Sequence, residues 1–218
     1  LLVDTALPTV TINTVAGDDV INLAEHSQAH IISGTATGAA AGDKVTVTIG
    51  GQTYTTVLDA AGNWSVGVPA SVISGLSDGT VTVTASVTDA AGNTGTGTHS
   101  VTVDTGLPSV AFNAISDDNV LNAVEKGQDL RVSGTSANLA EGTVVAVTLN
   151  GKNYTATTAA DGTWSLTVPA ADLAGLGEAN YTLSATATNG VGNSVSNTAN
   201  LLVDTALPTV TINTVAGD

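Results

Sequence analysis

The stretch Val3-Asp4-Thr5-Ala6-Leu7-Pro8 returns as Val103-Asp104-Thr105-Gly106-Leu107-Pro108, and again as Val203-Asp204-Thr205-Ala206-Leu207-Pro208. Outward from it, Asn22 and Glu25 return as Asn122 and Glu125, Tyr54 as Tyr154, Trp64 as Trp164 and Pro69 as Pro169. A fixed interval of self-similarity marks an array of folding units. Here the interval is the size of a whole domain, so the pattern reads as beads on a string rather than a solenoid. Residues 1–103 read as a first repeat, 104–203 as a second, and 204–218 as the first strand of a third, truncated one. Residues 1–18 and 201–218 are identical, whereas the two full repeats share well under half of their positions. The chain therefore reads as a fragment of a longer array, with any targeting signal expected outside it.

Within the first repeat, Thr9–Asn13 alternates apolar and polar residues and reads as a strand. A loop with Asp18-Asp19-Val20-Ile21-Asn22 and Glu25 follows. His30–Thr37, Lys44–Ile49 and Gln52–Leu58 read as strands, the last two joined by Gly50-Gly51, a two-residue hairpin signal. Asp59-Ala60-Ala61-Gly62-Asn63 is a turn before the strand Trp64–Val68. Thr80–Thr88 and Thr94–Val103 are joined by Asp89-Ala90-Ala91-Gly92-Asn93, a turn of the same spelling. Ala70–Leu76 and Ala170–Leu176 are each long enough for one helical turn. About seven short strands at this spacing predict all-β architecture: tandem immunoglobulin-like Greek-key β-sandwiches, arranged in line, with Trp64 and Trp164 in the cores.

The chain has no Cys, so neither disulfides nor thiolate metal sites are available. Nineteen acids against four Lys and Arg give a net charge of −15. That excludes the basic footprint of a nucleic-acid-binding protein and disfavours anionic membranes. No apolar run approaches the ~18 residues that span a bilayer, so no membrane insertion is expected. The three His residues occur only in the first repeat, none with a recurring Ser or Asp partner, and the chain does not read as an enzyme. Paired carboxylates could suggest a glycosidase, but the recurring ones fall at domain ends without an aromatic-lined cleft.

The acids Asp4, Asp18, Asp19, Glu25, Asp43, Asp59, Asp78 and Asp89 fall in predicted loops. Up-and-down strand bookkeeping places Asp18, Asp19, Asn22, Glu25 and Asp78 at the distal end of the first repeat, with Asp104 at the seam. It places Glu141, Asp161, Asn189 and Asn193 at the proximal end of the second. Clustered carboxylates repel unless a cation lies among them, and an all-oxygen donor set suits calcium, which takes about 6–8 oxygens. Asp18, Asn22 and Glu25 recur as Asp118, Asn122 and Glu125, while the neighbouring acid moves from Asp19 to Asp117. The candidate ligands are Asp4, Asp18, Asp19, Glu25, Asp89, Asp104, Asp117, Asp118, Glu125, Asp161 and Asp204. The plain alternative is turn chemistry, since Asp and Asn cap their own backbone; for Asp59 and Asp161-Gly162 that reading comes first.

Val-Asp-Thr-x-x-Pro at the head of a repeat, the acidic loop ending in Asn-x-x-Glu, and the two Asp-Ala-Ala-Gly-Asn turns resemble bacterial immunoglobulin-like repeats. Such repeats build the extender regions of giant type I-secreted adhesins, among them biofilm-associated proteins. The resemblance spans the chain. It implies export to the bacterial cell surface, Ca2+ at and near domain junctions, and a stiff rod whose partners are neighbouring repeats. Any glycan or host-surface contact would be left to other parts of the parent protein. By resemblance, Asp104, Asp18, Asp19 and Glu25 would be ligands at the first junction. The second repeat departs from the pattern with Asn189-Gly190-Val191-Gly192-Asn193. The competing function is a carbohydrate-binding module, since such sandwiches bind sugar through exposed aromatics or through calcium; here nearly every aromatic is expected in the core. A strand exchanged with a second copy is a further expectation for the tail, because 201–218 repeats 1–18.

Overall fold

In this computed structural model, residues 3–211 are described. The chain divides into two compact units, Leu1–Gly106 and Leu107–Asp218. Unit 1 holds eight strands: β1 Thr9–Ile12, β2 Val20–Asn22, β3 His30–Thr37, β4 Lys44–Ile49, β5 Gln52–Val57, β6 Asn63–Val68, β7 Gly79–Thr88 and β8 Thr94–Asp104. They form a three-stranded sheet, β1-β3-β6, facing a five-stranded sheet, β2-β8-β7-β4-β5. Unit 2 repeats the plan with β9 Ser109–Phe112, β10 Val120–Leu121, β11 Leu130–Ala137, β12 Val144–Leu149, β13 Lys152–Thr157, β14 Thr163–Val168, β15 Ala179–Thr188 and β16 Ser194–Val203. Each unit is thus an immunoglobulin-like sandwich, as the alternation predicted. The single-turn helices α1 Ala70–Ile73 and α2 Ala170–Leu173 follow Pro69 and Pro169.

The sequence pattern predicts seven strands per repeat, and the structure has eight. The extra one, β2, lies inside the stretch read as a loop. It runs parallel to β8, with Val20, Ile21 and Asn22 opposite Thr102, Val103 and Asp104. Three residues are too few to show a period, and Asp18-Asp19 masks the strand by looking like a turn. The strand forms because Ile21 is fully buried between the sheets.

Each unit buries its own core. In unit 1 it includes Val10, Val15, Ile21, Ile32, Val45, Val47, Ile49, Trp64, Ile73 and Val83. In unit 2 it includes Ile115, Leu121, Val132, Trp164, Leu173, Leu183 and Leu201. The Trp packs on a glycine: a Cβ at Gly34 would lie 1.9 Å from the Thr11 carbonyl oxygen and 2.5 Å from the Trp64 ring. Gly134 meets the same limits, 1.9 Å from the Ala111 oxygen and 2.3 Å from Trp164. The two-residue hairpin reading also holds, with positive φ at Gly50 (55°) and Gly51 (74°), and at Asn150 (48°) and Gly151 (74°). On the outer face of the five-stranded sheet, cross-strand neighbours such as Thr48 and Thr84, Thr84 and Thr98, and Thr88 and Thr94 set hydroxyl beside hydroxyl. Residues 204–211 form no strand, and the rest of the expected third-repeat strand, 212–218, lies outside the described residues.

Candidate metal centres

Ten of the eleven candidate acids, all but Asp117, accept a local backbone N–H. Asp4, Asp104 and Asp204 act alike: the Oδ1 of each accepts the backbone N–H two residues on, from Ala6 at 3.1 Å, Gly106 at 3.0 Å and Ala206 at 3.1 Å. This is the Asx-turn, and it fixes how the chain leaves the Val-Asp-Thr motif. Asp18 and Asp118 do the same for Val20 and Val120, at 3.0 and 2.9 Å, starting β2 and β10.

Asn22 and Glu25 form a reciprocal pair. The Asn22 Oδ1 accepts from the Ala24 and Glu25 N–H groups, and the Glu25 Oε2 accepts from the Asn22 N–H at 3.1 Å. Asn122 and Glu125 repeat each bond, at 2.9 to 3.0 Å. That is a capping box, and it precedes a short 3-10 turn in both units, Glu25–Ser27 and Glu125–Gly127. The recurrence of Asn-x-x-Glu has this local cause.

Asp19 closes the first loop, its Oδ1 accepting the Val15 N–H at 2.8 Å and contacting His99 Nε2 at 2.7 Å. The Val15 N–H, then His99, hold this carboxyl below its ordinary range. In unit 2 the closing residue is Asn119, which takes the Ile115 N–H at 2.9 Å. Asp117 instead occupies the place of Gly17, and both have positive φ, 63° and 102°. So the acid that seems shifted by one position has changed jobs.

The two Asp-Ala-Ala-Gly-Asn turns share one network. Asp59 Oδ1 accepts from the Ala61 and Asn63 N–H groups, both at 2.8 Å, and its Oδ2 from Asn63 Nδ2 at 3.0 Å. Asp89 does the same with Ala91 and Asn93. The Asn side chain leads in holding each carboxyl low. Asn93 Nδ2 also donates to the Asp4 carbonyl at 3.2 Å, bringing the Asp89 turn to the opening motif. In unit 2, Asn189 Oδ1 takes over the Asp89 role with Val191 and Asn193. Asp161, set two residues later than Asp59, accepts from the N–H and hydroxyl of Thr163 at 2.9 and 2.7 Å.

The structure brings some of these acids together and separates others. The parallel register sets Asn22 opposite Asp104, and Asp78 accepts from the N–H and hydroxyl of Thr105 at 3.0 and 2.8 Å. One end of unit 1 thus carries Asn22, Glu25, Asp78 and Asp104. Asp19 is elsewhere. Its carboxylate pairs with His99, five residues before Asp104, and its carbonyl accepts the Thr102 N–H, so it lies a few residues back from the Asp104 end. In unit 2 the Asp204 N–H reaches the Leu121 carbonyl, and the Thr205 hydroxyl reaches Glu178 Oε1 at 2.9 Å, so Asn122, Glu125, Glu178 and Asp204 share one end. Among the described residues, no three His, Asp or Glu side chains stand close enough to hold a metal by themselves. The donor chemistry still fits a hard ion, with amide, carbonyl and water oxygens completing the shell around one or two carboxylates.

Several contacts were invisible to spacing. His99 meets Asp19 from eighty residues away. His26 and Lys126 use different chemistry to reach the same carbonyl, of Leu76 and Leu176. Lys152 and Tyr154 both bind Asp172, at 2.5 and 2.8 Å, and burial, then Asp172, pushes the Tyr154 hydroxyl up to about 12. None of the aromatics is exposed: both Trp lie in the cores, and Tyr54, Tyr154, Tyr181 and Phe112 pack against them. No helix among the described residues is long and apolar enough to cross a membrane.

No curated protein matches the chain. Among solved structures, it is 41% identical to a Ca2+-stabilized adhesin that helps an Antarctic bacterium reach out and bind ice, over 92% of this chain and 50% of that one, with a TM-score of 0.61. It is 37% identical to a 1.5-MDa bacterial ice-binding adhesin, over 91% of this chain and 65% of that one, with a TM-score of 0.60. A tetra-tandem repeat from the extending region of a large adhesion protein is 33% identical over 91% of this chain and 49% of its own, at a TM-score of 0.38. The chain therefore spans half to two thirds of these relatives. The family of bacterial Ig-like domains matches residues 7–105 and 113–205, and the chain belongs to that family, as two tandem members of it.

Proposed function

We propose that this chain is a pair of spacer repeats from a large bacterial surface adhesin, exported by a type I route, and that calcium stiffens it. The observation that carries this reading is the 41% identity, over nearly the whole chain, to an adhesin described as Ca2+-stabilized. The acid-bearing ends of the units support it. Asp104, with Asn22, Glu25 and Asp78 around it, would hold one ion. Asp204, with Asn122, Glu125 and Glu178, would hold its counterpart, and Asp4 with the Asp89 turn would offer a further position. On this reading Asp18, Asp19, Asp118 and Asp161 serve the local turns whose N–H groups they accept, and Asp117 is left outside the ion sites.

A ligand bound only by the folded state raises its stability by mass action. Calcium is therefore expected to raise the melting temperature and EDTA to lower it; identical melting curves would refute the calcium part. A sugar-binding role lacks its usual surface, since every aromatic packs inward. A glycan array that stays silent fits the spacer, and a specific hit would favour recognition.

A further inference from the structure

Unit 2 contains two Asn-Gly pairs, Asn150-Gly151 and Asn189-Gly190. A glycine nitrogen is not shielded by a side chain and can attack the Cγ of the preceding asparagine. The two pairs sit in different surroundings. Asn150-Gly151 is a hairpin turn held at φ 48° and 74° between Leu149 and Lys152, which pair across it. Asn189-Gly190 opens a longer turn. There the Asn189 Oδ1 accepts N–H groups from Val191 at 3.2 Å and Asn193 at 2.9 Å. Gly190 is exposed, with nothing within 4 Å of where a Cβ would stand.

We propose that Asn189 is a spontaneous modification site, converted to aspartate through a cyclic imide. Hydroxide takes the proton of the Gly190 N–H, the nitrogen bonds to Cγ, and the Cγ–Nδ2 bond breaks with loss of ammonia. Water then opens the imide. Attack at Cγ restores the main chain and leaves aspartate, whereas attack at the main-chain carbonyl leaves an isoaspartyl linkage. During the first step negative charge develops on Oδ1, where two backbone donors already point; pre-placed donors of this kind stabilise such a charge.

Unit 1 shows that the product fits. Asp89 occupies the equivalent turn and accepts the Ala91 and Asn93 N–H groups at 2.9 and 2.8 Å, and the Asn93 amide at 3.0 Å. Conversion would give unit 2 the carboxylate that unit 1 already has. Its meaning for ion binding rests on the calcium reading above: the new charge would strengthen a position that is neutral at synthesis.

The test is peptide mass mapping, with isoaspartyl detection, of the whole chain held in mildly alkaline buffer, folded and in denaturant. Asn189 is expected to convert severalfold faster than Asn150 in the folded protein. The folded protein should also give a larger aspartyl share than the denatured chain. Gly190→Ala, which installs the residue unit 1 has as Ala90, should slow the reaction at 189 severalfold. Equal rates at the two asparagines, or no effect of Gly190→Ala, would overturn the proposal. Calcium titration of Asn189→Asp against Asn189→Gln separates the two readings. Tighter binding by the aspartate variant supports calcium at this turn, and conversion without any gain in binding upholds the modification while refuting calcium there.

Discussion

In unit 1 the first loop is closed by a carboxylate, Asp19, and in unit 2 by an amide, Asn119. The turn before the last strand is organised by Asp89 in one and Asn189 in the other. A carbonyl oxygen suffices for either task, so the charge at these positions is dispensable for folding. Other positions keep their acid in both units: Asp104 and Asp204 at the motif, Asp18 and Asp118 before the parallel strand, and Glu25 and Glu125 in the capping box. An amide could make the same turn bonds there too. The comparison thus separates acids used as hydrogen-bond acceptors from acids whose charge is retained, and the retained ones at the end of β8 and β16 are the best candidates for an ion.

The largest effect should come from the cores. Trp64→Ala and Trp164→Ala should each cost about 3–5 kcal/mol, read as loss of one of two melting transitions. The two should differ. Trp164 packs edge-on against Phe112, with ring centroids 5.4 Å apart at 77°, and its Nε1 donates to the Thr135 carbonyl at 3.2 Å. In unit 1 Ile12 stands at the position of Phe112, and the buried Trp64 Nε1 has no partner. Trp164→Ala should therefore be worse by about 1 kcal/mol, and equal losses would break that contrast.

Capping comes next. Asn22→Ala and Asn122→Ala each remove acceptors for two N–H groups, and each should cost about 1 kcal/mol in denaturant titration. Because the box is the same in both units, the two losses should match; a large difference would mean that one pair has a further role.

Acid should then separate the units. Unit 1 holds four carboxyls below their ordinary values, Asp19, Asp59, Asp78 and Asp89, and unit 2 holds two, Asp161 and Asp172. A depressed carboxyl contributes stability that is complete above its unfolded pKa and disappears as pH falls through the lower, folded value. Without calcium, the unit 1 transition should fall further than that of unit 2 as pH drops below the ordinary carboxylate range. Asp59, Asp78 and Asp161 are exposed and Asp19, Asp89 and Asp172 only half-buried, so the differences will be small. The least effect belongs to Asp89→Asn in EDTA, which copies Asn189 and should lower the melting temperature only slightly, by the share of that one charge.

Much of the fold was legible because it is written twice. Alternation along Thr80–Thr88, the Gly50-Gly51 turn and the recurring Trp gave strands that stand within a residue or so of their predicted ends. What escaped was short or distant. β2 has three residues and no period, and its parallel partner lies some eighty residues away. That strand also decides which acids meet, because it carries Asn22 and Glu25 to the level of Asp104 and leaves Asp18 and Asp19 behind. Loop membership could therefore point to acidic ends without sorting the acids within them. The Asn-x-x-Glu spacing was visible, and its capping function follows from the same residues without any metal.

The central claim is that charge at the end of β8 binds calcium, and Asp104→Asn tests it most directly. The substitution keeps the oxygen that takes the Gly106 N–H and removes only the charge. Calorimetric calcium titration of the wild-type and Asp104→Asn chains, each with a melting curve in EDTA, isolates that charge. The account expects the variant to melt like the wild type in EDTA yet bind calcium at least severalfold more weakly. Superimposable calcium isotherms, or no heat from either chain, would contradict it and leave Asp104 as a turn residue.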